Sequence, residues 1–340
     1  MTYFEKIIEE KKGHSAFDVS LWSALYQAHP ALSDTSEANL NGRLAEIEKN
    51  IQFLCGSAFW NDALRPEFGW QSPWWWFRAR QFTLCELERR GMVAPPAKDL
   101  GAPHKLHRDY IRRRNPLAVR ISKIRWLTDL LDGKIRFGAA SSYADPALQT
   151  SQRDDEIARD IFLPGSLATI TLENGVRRPL AGEIRLSGSR THSVEGKTTV
   201  LPYWLLSFST ELDARLLGEF SLENMHEQGF FVLFDVEKFH LRLSEAAQPS
   251  ELICGRVAVD YYDEHFPPSW GEGQFAVIGL KPFRYAGQRE LRFFLLPDGG
   301  ATHSLNSPIE LQTEKLDDIA GVYNSMGEKE AGCGPRRVFF

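Results

Sequence analysis

Short apolar runs separated by turns fill the chain after residue 103, and they constrain its fold more than any other feature. They read LATITLE, PYWLLSFS, GFFVLFDV, ICGRVAVDYY, QFAVIGL and LRFFLL, and turn signals such as Asn174-Gly175 lie between them. Runs of this length that are rich in β-branched and aromatic residues are typical of β-strands. Helical patterns are fewer in this part, so we predict an α+β domain over residues 104–340.

The first hundred residues carry helix signals instead. In SEANLNGRLAEIEKNIQFLCG the apolar residues recur every three or four positions, which marks one helix face, and Gly56 follows as a stop. Ser72-Pro73 predicts the start of another helix and Gly91 its end. The stretch MVAPPAKDLGAP is rich in proline and glycine and predicts a linker. We therefore expect a helical N-terminal domain over residues 1–103.

Composition and charge exclude several classes of protein. The formal net charge of −5 gives no global attraction to nucleic acid or to an anionic membrane. Four widely spaced cysteines without a CxxC pair favour free thiols in a reducing compartment over disulfides or a zinc knuckle. No apolar run approaches the roughly 20 residues that span a bilayer, and the charged N-terminus is unlike a secretory signal. We predict a cytoplasmic protein that does not contact membranes.

Several clusters leave alternatives open. The tryptophans at 74–76 favour a packed aromatic cluster against a neighbouring domain over a base-stacking platform. The basic segment 105–125 is either a solvated helix face or a patch that binds the phosphates of a nucleotide or RNA. The acidic run 152–160 favours a helix start over a divalent-metal site. His104 and His107 favour exposed side chains over metal ligands, so no metal site is predicted.

Many familiar catalytic motifs are missing: there is no GxGxxG after a strand, no Walker loop, no GxSxG and no HExxH. Three other stretches form a better set. Arg120 ends a short strand-like piece, and Ser207 and Ser209 end a longer apolar strand. Gln288 and Glu290 lead into the last apolar run. Because side chains two positions apart on a strand share a face, we expect each of the last two pairs to point in one direction.

The order Arg, Ser-x-Ser, Gln-x-Glu resembles the R-S-E class of mono-ADP-ribosyltransferases, which share a split β-sandwich with an NAD-binding cleft. It is also similar to a poorly characterised bacterial family whose further motifs match LLDGKIRF, Tyr143 with Asp145, S-F-S, GFFVLFD and the stretch from Lys281 to Arg292. The resemblance covers residues 117–297. It implies that the α+β domain is a split β-sandwich, ADP-ribosyltransferase-like, with NAD as its substrate.

The resemblance also implies a role for each residue. Glu290 would stabilise the positive charge that develops on the ribose when the nicotinamide–ribose bond breaks. Ser207 would hold Glu290 or the cofactor in register, and Gln288 would orient the acceptor. A planar guanidinium suits the cofactor's phosphates or its nicotinamide ribose. The implied cofactor-binding residues are Arg120, Ser209 and Tyr143. The other candidates for the arginine role are Arg112, Arg113, Arg114 and Arg125.

Two functions from different classes follow. The first is an NAD-dependent ADP-ribosyltransferase or NAD glycohydrolase, acting as a bacterial toxin or anti-phage effector on an unknown protein or nucleic-acid acceptor. Its helical N-terminal domain would bind a protein partner or target. The second is a non-catalytic nucleotide-, RNA- or protein-binding sensor module of the same fold, which would use the basic segment and the tryptophans. A metal-dependent nuclease through Asp154, Asp155 and Glu156 comes third, because a lysine or histidine partner at useful spacing is missing.

Overall fold

The computed structural model describes residues 1–55, 72–102, 117–145, 156, 158–165, 169–189, 191–194, 197–200, 203–220, 227–266, 278–298 and 307–338. Within these ranges the chain has helices in its N-terminal part and mainly antiparallel strands afterwards. The predicted α+β class is confirmed. None of the described helices is both long enough and apolar enough to cross a membrane.

The N-terminal helices are α1 Tyr3–Lys12, α2 Val19–Ala28, α3 Glu37–Leu54 and α4 Pro73–Arg89. Ser36 caps α3, because its hydroxyl accepts a hydrogen bond from the Asn39 amide. Ser72 caps α4, and Gly91, which has a positive φ, follows its end. Both predicted helices are confirmed, although Gly56 lies outside the described residues. The predicted apolar face of α3 is buried and consists of Leu40, Leu44, Ile47, Ile51 and Leu54.

The described residues of the later part include three α-helices and three short 3-10 helices among their strands. The helices are α5 Ile124–Leu131, α6 Leu216–Glu219 and α7 Val236–Ala247, with 3-10 helices at Ala140–Ala144, Gln248–Ser250 and Phe283–Gln288. The strands are β1 Ala118–Lys123, β2 Lys134–Ala139, β3 Ala158–Pro164, β4 Thr169–Thr171, β5 Arg177–Pro179, β6 Glu183–Ser189, β7 Thr191–Val194, β8 Lys197–Val200, β9 Trp204–Ser209, β10 Gln228–Leu233, β11 Leu252–Ala258, β12 Asp260–Tyr262, β13 Leu280–Pro282, β14 Glu290–Pro297, β15 Ile309–Gln312, β16 Ala320–Asn324 and β17 Lys329–Gly332.

The main sheet has the strand order β11-β14-β9-β1-β10-β16-β17, and β2 pairs with both β9 and β15. Its first half-sheet comprises β11, β14, β9, β2 and β15, and its second half-sheet comprises β1, β10, β16 and β17. The register that joins the two halves is a single residue pair, Val119 with Ser209. By contrast, six pairs join β9 to β14 and another six join β1 to β10. The sheet therefore opens along the line between β9 and β1.

Helices α5 and α7 cover one face of the sheet with a continuous apolar cluster. Strand alternation decides which side chains enter this cluster. From β14 they are Leu291, Phe293 and Leu295, so Glu290 and Arg292 lie on the opposite face. From β9 they are Trp204, Leu206 and Phe208, so Ser207 and Ser209 also lie on the opposite face. The predicted pairing of the two serines on one face is confirmed.

The N-terminal helices pack onto the part of the chain that leads into β14. One hydrophobic cluster joins residues of α3 and α4 to Val259, Tyr261, Phe283 and Tyr285. The rings of Trp75 and Trp76 lie 6.2 and 5.9 Å from the ring of Phe283. Trp74 and Trp76 are 1% and 0% exposed, so they cannot stack a base or contact a partner. The predicted packed aromatic cluster is confirmed.

Three predictions of local structure need correction. The strand that carries Arg120 does not end there but continues to Lys123, and α5 begins at the next residue, Ile124. The acidic run does not lead into a helix, because its last residues, from Ala158 to Asp160, lie in β3. Gln288 is not on a strand, because it ends a 3-10 helix. Several predictions concern residues outside the described ranges, namely His104, His107, Arg112, Arg113, Arg114, Asp154, Asp155 and most of QFAVIGL.

Candidate functional site

A cavity of about 280 Å³, the inner cavity, lies where β1 diverges from β9. Its polar lining includes Glu156, Lys281 and all six predicted site residues, which are Arg120, Tyr143, Ser207, Ser209, Gln288 and Glu290. Glu290, Ser209 and Val119 are successive partners across β14, β9 and β1. Neighbouring strands lie about 4.8 Å apart, so β14 and β1 are about 10 Å apart at this point. A group of the size of a ribose, together with the side chains that contact it, fills that distance.

Glu290 is the first residue of β14 and is 6% exposed. Arg292 Nε donates to its Oε1 at 2.8 Å, and Lys281 Nζ donates to its Oε2 at 2.9 Å. The Ser207 side chain lies beside this carboxylate and also helps to lower its pKa. Burial disfavours the charged form, but Arg292 and Lys281 outweigh burial and hold the pKa of Glu290 well below its usual range. The carboxylate is therefore ionised at neutral pH and fixed in orientation.

Glu156, Lys281 and Arg292 complete a buried network that the predicted site did not include. Arg292 is fully buried, and its Nη2 donates to Glu156 Oε1 at 2.7 Å. Lys281 Nζ lies 3.8 Å from the same oxygen. Two cations thus balance two carboxylates away from water. Strand alternation places Arg292 beside Glu290, so that contact was predictable. Glu156 is 136 residues away in sequence from Arg292, and no local pattern indicates it.

Arg120 is the cation of the inner cavity that has no carboxylate within ion-pairing distance among the described residues. Its Nη1 donates to the main-chain carbonyl of Ser207 at 2.7 Å, which bridges the opening between the half-sheets. Burial lowers the pKa of Arg120, and Tyr143 and Glu290 only partly offset that effect. An arginine nevertheless keeps its charge. Its remaining N–H groups therefore favour an anion in the cavity.

Gln288 lines the cavity, but the predicted strand alternation is not what places it there. Arg289, which follows it, has φ 45° and ψ 58°, and this left-handed conformation separates the 3-10 helix from β14. The buried Arg289 side chain pairs with Glu211 and lies 3.6 Å from an oxygen of Asp213, which holds the unusual backbone in place. Lys281 Nζ donates to Gln288 Oε1 at 3.2 Å as well as to Glu290. One ammonium group therefore holds both predicted residues.

Ser209 and Tyr143 have less direct positions. The Ser209 hydroxyl donates to the Glu211 carbonyl at 2.9 Å, so it stabilises the turn after β9. Tyr143 packs over Gly138, where a Cβ would lie 2.9 Å from the tyrosine hydroxyl oxygen. Burial raises the pKa of Tyr143, so its hydroxyl is a neutral donor.

A second cavity of about 680 Å³, the outer cavity, shares Arg120 and Tyr143 with the inner one. It lies between α5, β2 and β15. Trp126 lines it and is 50% exposed, with the Arg125 guanidinium 4.7 Å from its ring centre. Arg120 and Tyr143 therefore lie between the two cavities.

No protein-family model matches the chain, and searches of curated proteins and of solved structures find no relative. Within the described ranges, no group of three or more His, Cys, Asp and Glu side chains is arranged to hold a metal ion.

Proposed function

We propose that this protein consumes NAD, as an ADP-ribosyltransferase or an NAD glycohydrolase, with the scissile bond held in the inner cavity. One observation carries the proposal: Arg120, Ser207 and Glu290 belong to three adjacent strands and line one cavity where the sheet opens. A sheet that opens between β9 and β1 also supports the expected split β-sandwich, ADP-ribosyltransferase-like, architecture. The role of a bacterial toxin or anti-phage effector remains part of the proposal.

The proposed chemistry begins with cleavage of the bond between the ribose C1′ and the nicotinamide nitrogen. The bonding electrons move to the nicotinamide ring and neutralise its charge, while the ribose becomes oxocarbenium-like. Glu290 stabilises that positive charge where it develops. Water or an acceptor group oriented by Gln288 then bonds to C1′ and releases a proton. The hydrogen bonds from Arg292 and Lys281 keep the carboxylate in a fixed orientation, and Ser207 lies beside it.

The charge of the cavity fits a phosphate-containing substrate. Lys281 and Arg292 are balanced by Glu156 and Glu290, which leaves Arg120 in excess among the residues that the structure describes. A pyrophosphate beside Arg120 would supply the missing negative charge. Charge-assisted hydrogen bonds of this kind contribute about 1.5–3 kcal/mol.

Replacing Arg120 by methionine should therefore weaken NAD binding about 10- to 100-fold, measured by isothermal titration calorimetry. Arg256→Met is the control, because Arg256 lies on β11 and pairs with Glu237 at the surface. Equal affinities in the wild type and the Arg120 variant would contradict an anion site at Arg120.

The reaction itself is tested with NAD labelled in the nicotinamide or in the adenylate, with and without a bacterial lysate. Released nicotinamide together with free ADP-ribose would identify a glycohydrolase. Released nicotinamide together with label in macromolecules would identify a transferase. Absence of nicotinamide release both with and without lysate would overturn the proposed function.

A non-catalytic nucleotide-binding module of the same fold is a second candidate, and one observation favours it. Both carboxylate oxygens of Glu290 accept from cations, Arg292 and Lys281, which weakens the field that the carboxylate exerts on a ribose. This candidate predicts that NAD binds but that no nicotinamide is released.

The size of the cavities predicts how a dinucleotide lies. The inner cavity, at about 280 Å³, is slightly smaller than the roughly 300–1,000 Å³ typical of ligand pockets, so it accommodates only the nicotinamide ribose half. The other nucleoside then extends past Arg120 into the outer cavity, towards Trp126. Trp126→Ala should weaken NAD binding about 5- to 150-fold, because base–aromatic stacking contributes about 1–3 kcal/mol.

Nicotinamide mononucleotide, which lacks the adenosine half, makes this test specific. Its affinity should be the same for the wild type and Trp126→Ala. Leu241→Ala, which truncates an exposed side chain on α7, is the control and should change neither affinity. An equal loss of affinity for both ligands would show that Trp126 does not contact the adenosine half.

A further inference from the structure

We infer that helix α3 of the N-terminal part positions Gln288 and Glu290 for the reaction, and that Asn50 is the positioning residue. The inference rests on the proposed function for its catalytic meaning, although the contacts that carry it do not. It assigns the helical part a role within the site, in addition to any partner that it binds.

Asn50 is fully buried and binds both ends of the 3-10 helix Phe283–Gln288. Its Oδ1 accepts from the Gly287 amide at 2.6 Å. Its Nδ2 donates to the carbonyls of Phe283 and Arg284 at 3.1 and 3.4 Å. The same Nδ2 also donates to the Glu46 carbonyl of its own helix at 2.9 Å. One side chain thus uses its donor and its acceptor to join α3 to this short helix.

Close packing leaves the 3-10 helix little freedom to shift on α3. A Cβ on Gly287 would lie 2.9 Å from the Phe53 ring, so the backbone of the short helix rests directly on α3. At its other end, Phe283 packs against Trp75 and Trp76 of α4. A displacement of Gly287 must therefore involve the helical layer, because protein interiors are close-packed.

Gly287 lies so close in sequence to the proposed catalytic residues that a shift of its backbone also displaces them. Gln288 is the next residue, and the Arg289 amide donates back to the Ala286 carbonyl at 3.1 Å. The Glu290 amide donates to the Tyr261 hydroxyl at 2.8 Å, within the cluster that the helices share. Lys281 links the Gln288 and Glu290 side chains. A change at Asn50 should therefore move the acceptor-orienting amide first and the carboxylate with it.

Asn50→Asp tests the inference because it keeps the shape of the side chain. The carboxylate still accepts from Gly287 but cannot donate to the carbonyls of Phe283 and Arg284. We expect kcat for nicotinamide release to fall about 10- to 100-fold, since misplacement by about 1 Å has effects of that size. The Kd for NAD should stay within about twofold of the wild type, because Arg120 is untouched.

Gln52→Glu is the matched control. Gln52 is also a fully buried amide on α3, but it bonds to the Lys98 carbonyl at 2.7 Å and to the Leu100 amide at 2.8 Å, away from the site. It should lose thermal stability to a similar degree while its kcat stays within about twofold of the wild type. Should Asn50→Asp fail to fold, Gly287→Ala replaces it, because its Cβ meets Phe53 and displaces the same helix.

Hydrogen exchange of a peptide spanning residues 283–291 provides a readout that does not depend on turnover. Exchange should be at least about tenfold faster in Asn50→Asp and unchanged in Gln52→Glu. Faster exchange with a kcat equal to that of Gln52→Glu would overturn the positioning role, as would equal changes in both variants. If the wild type releases no nicotinamide, the proposed function fails by itself, and unchanged exchange in Asn50→Asp then overturns the positioning inference separately.

Discussion

Glu290→Gln should lower the rate of nicotinamide release by about 10²- to 10³-fold while leaving the affinity for NAD nearly unchanged. The amide has the shape of the carboxylate but carries no charge, so it cannot stabilise an oxocarbenium-like ribose. Binding depends on Arg120 and on the outer cavity, which the substitution does not touch. The rate is measured by chromatography of released nicotinamide, and the affinity by calorimetry on the same preparation.

Glu156→Gln separates this role from a general effect of charge. It removes the same charge from the same buried network, and Arg292 and Lys281 each keep one carboxylate partner in either variant. Both variants should lose comparable stability, but Glu156→Gln should keep turnover within about tenfold of the wild type. Equal losses of turnover would mean that charge balance, and not contact with the sugar, explains the effect of Glu290.

Local periodicity was enough to predict helix α3 and strands β9 and β14. The apolar face of α3, the shared face of Ser207 and Ser209, and the buried run after Glu290 all follow from spacings of 3.6 or 2 residues. The same alternation places Arg292 beside Glu290. These features are set by neighbouring residues, which is why the sequence alone indicates them.

Features that depend on contacts between distant segments were not predictable. In a regular strand Arg120 shares the face of Ala118, which packs in the α5/α7 cluster, whereas Ser207 lies on the other face. Arg120 reaches Ser207 only because β1 and β9 diverge, and no local pattern marks where two strands part. The backbone at Arg289 depends on Glu211 and Asp213, 78 and 76 positions earlier in the sequence.

The linker at residues 92–102 illustrates a second limit. Its composition predicts a boundary between two domains, and no helix or strand is present there. The helices before it nevertheless share a hydrophobic cluster with Tyr261 and Phe283, and Asn50 bonds across the two parts. A proline-rich segment shows where secondary structure stops, but it does not show whether the flanking elements pack together.

Arg292→Met should destabilise the fold by about 3–5 kcal/mol at pH 7, the usual cost of removing one partner from a buried ion pair. Glu290 and Glu156 would remain buried near one another with Lys281 as their nearest cation. The free energy of unfolding is measured by urea titration. Arg256→Met, at a surface pair on β11, should cost less than about 1 kcal/mol.

The contribution of Glu290 to the free energy of unfolding should change with pH in opposite directions in Arg292→Met and in the wild type. The folded pKa of Glu290 is depressed in the wild type, so this residue contributes stability above its ordinary pKa of 4.5 and loses that contribution as the pH falls further. Without Arg292, burial and the neighbouring carboxylate raise the pKa of Glu290. The variant should then gain stability relative to the wild type on acidification from pH 7 to pH 5. Parallel stability curves would contradict this account.

Glu156→Gln in the Arg292→Met background shows whether the cost comes from uncompensated charge. The glutamine removes one of the two carboxylates that Arg292 neutralised, so the double variant should be more stable than Arg292→Met alone. Two substitutions in one buried network have an interaction free energy of about 0.5–3 kcal/mol. The sign of that interaction free energy distinguishes uncompensated charge from lost packing. Additive losses would mean that Arg292 acts through packing of its side chain. Coupling of the expected sign would establish that the carboxylates beside the inner cavity stay ionised because Arg292 and Lys281 accompany them.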